Sequence, residues 1–169
     1  FRFLNRVWRM AKTWMPRLRK VGTYNGSPDI LGENARNLYV KTHQTIKKVT
    51  EDIEARFHFN TAISAVMELI NLIYAQESEI SPESADDLTA GVMRHAMDAV
   101  IRLLAPVVPH FTEEIWEAMG NAPGSLADAR WPEYRTDALM TDSRLIVIQV
   151  NGKLRGKFEI DADADDETI

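Results

Sequence analysis

The sequence predicts a mainly α-helical bundle followed by a β-hairpin. Three observations carry that reading. Residues 62–75 are apolar at nearly every position, with Thr61, Ser64, Glu68 and Asn71 recurring on one narrow stripe. A helix apolar almost all round is a buried helix, so residues 61–75 are expected to be the central rod of the bundle. Flanking segments repeat apolar residues every three to four positions. After residue 142 the period changes from 3.6 to 2.

In chain order, residues 2–15 place Phe3, Leu4, Val7, Trp8, Met10, Ala11, Trp14 and Met15 on one face. Arg2, Asn5, Arg6, Arg9, Lys12 and Thr13 share the other. Pro16 is expected to end or kink this helix. Gly22, Asn25-Gly26, Pro28 and Gly32 mark a loop. A helix over 33–56 turns Leu38, Ile46, Val49 and Ile53 inward, helped by Thr42 and Thr45. His43 on that helix has no nucleophile–base partner and reads as a packing or hydrogen-bonding residue. Asn60 suits the N-cap of the rod.

Residues 76–87 form a polar, acidic loop, and Asp86 or Asp87 can cap a helix over 88–104. Leu88, Val92, Ala96, Val100 and Leu104 give that helix its apolar spacing. Pro109 fits the first turn of a further helix, whose inner face is Phe111, Ile115, Trp116 and Met119. Glu113 and Glu114 suit its early turns, and Gly120 its stop. Residues 121–142 are irregular, with Trp131 expected over the end of the bundle.

Residues 145–150 then read as a strand, Asn151-Gly152 as a two-residue hairpin turn, and 153–160 as the returning strand. That turn would set Val147 opposite Gly156, Gln149 opposite Leu154 and Leu145 opposite Phe158. A lone hairpin is marginally stable. Residues 1–142 are therefore expected to be one domain, and 143–169 the start of a truncated second one. Its open edge could lie on the bundle or pair with another chain; the protein is otherwise expected to be monomeric.

The bulk properties fit a soluble domain: 45% apolar and 27% charged residues, with no cysteine and hence no disulfide or thiolate metal site. No apolar run approaches a membrane span and no secretory signal is evident, which fits a cytoplasmic location. The chain opens without methionine inside a helical pattern and is expected to be a piece of a larger protein.

The net charge of −5 hides an asymmetry. Residues 1–28 contain Arg2, Arg6, Arg9, Lys12, Arg17, Arg19 and Lys20 and no acid, whereas 161–167 contain acids and no base. Solvated helices usually mix signs, so a wholly basic face points to a polyanion. Lys153, Arg155 and Lys157 form a second basic patch on the hairpin. No aromatic platform for stacking bases is evident. No phosphate loop, paired metal-ligand histidines or catalytic carboxylate pair appears, so no chemistry is assigned to these residues.

Three stretches stand in a telling order: His43–Ile53 leading into FHFNTAISAVMELIN, then LLAPVVPHFTEEIW, then a Trp-Pro connector followed by IVIQVNGKLRGK. The first two resemble the anticodon-binding helical bundle of class I aminoacyl-tRNA synthetases of the leucyl, isoleucyl, valyl and methionyl group. The third resembles the start of the small α/β C-terminal domain of bacterial-type leucyl-tRNA synthetases. The isoleucyl and valyl branches are the alternative, against which the VNGKLRGK hairpin argues. A helical interaction module that binds no RNA is the other.

The resemblance implies the tRNA-holding part of an enzyme that attaches leucine to its tRNA with ATP and magnesium. The family's His-x-Gly-His and Lys-Met-Ser-Lys-Ser catalytic signatures are absent from these residues, so the chain alone is expected to be inactive. Leucyl enzymes of this type hold the tRNA body by its backbone. The basic residues named above are the candidates for that contact, and no cofactor is expected in this segment.

Overall fold

The computed structural model describes residues 1–56, 58–76 and 81–139, and the backbone of 143–150 and 153–161; side chains are described for 1–54, 58–76 and 81–139. The chain is mainly helical. Its order is α1 (Arg2–Leu18), a 3₁₀ turn (Pro28–Ile30), α2 (Glu33–Arg56), α3 (Phe59–Gln76), α4 (Asp87–Leu104), α5 (Pro109–Ala118), a second 3₁₀ turn (Ser125–Asp128) and α6 (Thr136–Leu139). Two antiparallel strands follow, β1 (Ser143–Val150) and β2 (Lys153–Asp161).

The centre of the bundle is α4, not the 61–75 rod. α4 packs on α1, α2, α3 and α5. Its buried residues, from Ala90 through Leu104, lie on every side of the helix. Several are small: Ala90, Gly91, Ala96 and Ala99 let neighbouring backbones approach closely. At Gly91 the carbonyl accepts from Tyr24 N–H at 3.0 Å, and a Cβ there would meet Gly22 O at 3.2 Å. Glycine is needed at this position because the 22–26 loop lies directly on the helix.

α3 instead has one buried face, of Ala62, Ala65, Val66, Leu69, Ile70 and Ile73, set mainly on α2. Met67 is 39% exposed although Ile70 is fully buried. High apolar content made α3 read as the rod; the small residues of α4 read as weaker and were the better sign of crowding.

Local signals set most helix ends. Asp86 caps α4 by accepting from Thr89 N–H at 2.7 Å. That bond holds the Asp86 carboxyl below its ordinary range. Gly120 ends α5 at φ 94°. Asn60 does not cap α3. The helix begins at Phe59, so the His58 carbonyl takes Ala62 N–H at 3.1 Å and the Thr61 hydroxyl at 2.9 Å. Pro16 neither ends α1 nor stops its ladder: Arg19 N–H still reaches Met15 O at 3.2 Å, and the helix runs on to Leu18. Pro16 has no N–H for the Lys12 carbonyl, so the helix continues past it with one bond fewer.

Two apolar side chains are less covered than their spacing suggests. Trp8 and Leu88 are 39% and 43% exposed rather than inward. Glu113, in the second turn of α5, accepts from Gly124 N–H at 2.8 Å.

The strand register departs from a plain two-residue turn. Gln149 is opposite Leu154, but Val147 faces Lys157, Ile146 faces Phe158 and Leu145 faces Glu159. The shift falls between Ile148 and Gln149, where Ile148 is opposite Gly156 and Arg155 has no partner. One extra residue in β2 is a bulge, and Gly156 beside it suits the bend. The Asn151-Gly152 turn, residues 162–169 and the side chains of the strands lie outside the described residues.

Candidate nucleic-acid interface

Helix α1 seats Val7, Met10, Ala11, Trp14 and Leu18 on the bundle. At 100° per residue, Arg2, Arg9 and Lys12 lie nearly opposite that line. Arg6 and Arg17 lie at its flank, close enough to the neighbouring helices to reach them. This placement splits the candidate residues into two groups.

Arg6, Arg17 and Arg19 are engaged within the bundle. Arg6 donates to Asn71 Oδ1 at 2.8 Å, its guanidinium sits 4.5 Å from the Tyr74 ring centre, and its carbonyl accepts from the Tyr74 hydroxyl at 2.8 Å. Arg17 donates to Ala85 O at 3.1 Å and pairs with Asp87 at 2.6 Å. Arg19 donates from Nε to the Ala118 carbonyl at the end of α5. These arginines tie α1 to α3, α4 and α5.

Arg2, Arg9, Lys12 and Lys20 are exposed and have no partner among the described residues. On α2 the pattern is the opposite. Lys41 pairs with Glu68 at 2.8 Å, Lys48 with Asp52 at 2.8 Å, and Lys47 lies 3.9 Å from Glu51. The α2 cations are neutralised where they stand, whereas the outer face of α1 offers bare positive charge. That arrangement can hold phosphates and does no covalent chemistry. The side chains of Lys153, Arg155 and Lys157 lie outside the described residues.

Between the helices lies a buried aromatic cluster. Tyr39, His43 and His95 pack edge-on or tilted, with ring centres 4.5 to 5.3 Å apart. His43 is 1% exposed, a packing and hydrogen-bonding residue. Burial first, and then the positive charge of Arg135, pushes His43 down to about 4. Burial also pushes His95 down to about 3, with His43, Arg102 and Arg135 adding to it. Both rings are neutral spacers at neutral pH. The connector after α5 is strapped over them: Trp131 Nε1–H donates to Thr50 Oγ1 at 2.8 Å, and the Arg135 guanidinium reaches the carbonyls of Asn25 and Gly26 and the Asp137 carboxylate. Trp131 is partly buried against the hydrophobic core. Among the described residues no three His, Asp or Glu could hold a metal ion, and no helix is long and apolar enough to cross a membrane.

The structure is a helical bundle whose first helix carries a basic outer face. The family model for the anticodon-binding domain of tRNA ligase matches residues 35–169. The chain belongs to that family. It is 51% identical over its whole length to a leucine–tRNA ligase of Desulfatibacillum aliphaticivorans, and 47% identical to one of Geobacter sp. strain M21. It spans about a fifth of those relatives' lengths, 19% and 20%. Among solved structures, 98% of the chain matches 20% of a chain in the ternary complex of Agrobacterium radiobacter K84 agnB2 LeuRS with tRNA and LeuAMS, with TM-score 0.76 and 33% identity.

Proposed function

We propose that this chain is the tRNA-holding portion of a leucine–tRNA ligase, and that the outer face of α1 grips the tRNA backbone. The observation that carries the contact is the set of cations Arg2, Arg9, Lys12 and Lys20, unpaired among the described residues, on a segment without acids. The leucine–tRNA ligase relatives and the tRNA in the solved complex support the partner. Phosphate contacts fix register and carry little sequence information, so this surface holds the tRNA body rather than reading it. In the whole enzyme, leucine attachment uses ATP with magnesium. The described residues offer no phosphate loop or metal-ligand set, so no step through ATP is assigned to them. The reading extends to a domain division at 142/143, to Lys153, Arg155 and Lys157 as a second basic patch, and to a cytoplasmic location.

The test replaces Arg2, Arg9 and Lys12 with glutamine together and measures tRNA affinity against salt. Removing one cation from a phosphate reduces the magnitude of the salt slope by about one unit, so the triple variant is expected to lower it by about three. In a leucine–tRNA ligase carrying this segment, leucyl-adenylate formation should stay nearly constant. An unchanged affinity and slope would make the face a solvated helix surface.

A further inference from the structure

The sequence puts Trp8 in the core and shows no platform for stacking a base. The structure contradicts both. Trp8 is 39% exposed, and its ring centre lies 6.2 Å from that of the half-buried Phe111 on α5. Beside it α1 and α5 enclose a slot of about 110 Å³, lined by Trp8, Ala11, Lys12, Met15, Ile115 and Ala118. Lys12 is the only charged residue of that lining, and it is exposed without a partner among the described residues. Arg9 follows Trp8 directly, and Lys12 stands one turn further on. On α5 the acid nearest in helical spacing is Glu114, three residues after Phe111, and it is not part of the lining.

An accessible indole flanked by unpaired cations matches one ligand chemistry well: a flat apolar ring attached to a phosphate. Base–aromatic stacking with cations on the adjoining backbone is how unpaired nucleic acid is held without sequence reading. We propose that the Trp8 slot takes one unstacked base of the bound RNA, with Arg9 and Lys12 on its flanking phosphates. The proposal rests on the tRNA-holding reading and adds a stacking contact to it. The surface then distinguishes RNA with unpaired nucleotides from a continuous duplex, which phosphate contacts alone do not.

The experiment uses the whole chain and three probes: a leucine-accepting tRNA, a short single-stranded RNA, and a fully paired RNA duplex. Trp8→Ala is expected to weaken the first two by about 5- to 150-fold, the range for removing one stack. It should leave the salt slope and duplex affinity unchanged. Trp8→Phe keeps a stacking face and should retain most of the affinity. Ultraviolet crosslinking of the unsubstituted chain to the single strand should mark the tryptic peptide of residues 7–9, which keeps the question decidable if Trp8→Ala fails to fold. An effect within twofold, an equal weakening on the duplex, a crosslink elsewhere, or binding only to anionic lipid vesicles would overturn the slot. If the unsubstituted chain binds no RNA, the tRNA-holding reading falls with it; binding that ignores Trp8 removes the slot alone.

Discussion

His43 Nδ1 accepts a hydrogen bond from the backbone N–H of Arg135 at 3.2 Å, across 92 residues of sequence. The bond fixes the ring's tautomer: the acceptor nitrogen is bare, so Nε2 carries the proton. Among the described residues that Nε2 is buried without a partner, as is Nε2 of His95. A neutral ring here supports the connector strap. A protonated one would set N–H against N–H and place a charge beside Arg135.

Stability is therefore expected to fall in acid. Both histidines are depressed, from 6.5 to about 4 and about 3. Below pH 6.5 the unfolded chain takes up protons that the folded chain refuses, so the neutral rings' contribution is complete above that pH. It is lost as pH falls toward 4 and 3, on the order of a few kcal/mol in all. Asp98, raised by burial against the pull of Arg102, works in the opposite direction over the acid range. Replacing His43 with glutamine keeps an acceptor for Arg135 N–H and removes one titration. Urea midpoints between pH 7 and 4.5 should then fall less steeply than in the parent chain; an unchanged slope would refute the role given to His43.

The corrected centre of the bundle makes a contrast between two faces of α3. Leu69→Ala on the buried face of α3 should cost roughly 2–5 kcal/mol. Met67→Ala, two residues away on the opposite, exposed face, should cost well under that. Denaturant unfolding of the two variants measures the difference. Equal costs would restore α3 as a rod buried on all sides.

Gly91→Val tests the close approach on α4. A Cβ already meets Gly22 O at 3.2 Å and Tyr24 Cβ at 3.4 Å, and valine adds two methyls. Helix propensity favours the change, but overpacking should win by about 1–3 kcal/mol. The loop bond from Tyr24 N–H to Gly91 O should exchange faster with solvent in the variant. A gain in melting temperature would mean that the 22–26 loop moves away freely.

What the sequence made legible was local chemistry. Glu33–Arg56 could be read from apolar spacing and a glycine before it, and the Asp86 cap and Gly120 stop from residue type at one position. What it concealed was long-range. The partners of Arg6, Arg17 and Arg19 lie 65, 70 and 99 residues away, and no periodicity shows whether a basic residue on the flank of a helix will find one. Trp8 was hidden for a related reason: it lies at the edge of the apolar arc, where the position of α5 decides whether an indole is covered.

The same division makes Arg6 and Arg9 an opposed pair. Arg6 holds Asn71 and covers Tyr74, so Arg6→Gln should remove a cation–π interaction and a hydrogen bond, about 0.5–1.5 kcal/mol of stability. Its guanidinium keeps its charge but is held against α3, and the tRNA salt slope should barely move. Arg9 is exposed and unpaired among the described residues, so Arg9→Gln should alter stability by no more than about 0.5 kcal/mol. The same change should lower the slope by about one unit, because a phosphate bound there releases counterions. Urea midpoints and salt titrations on the two single variants give both readouts. Should Arg6→Gln reduce the slope as much as Arg9→Gln, the flank of α1 would join the tRNA surface and the bonds to Asn71 and Tyr74 would have to open when RNA binds.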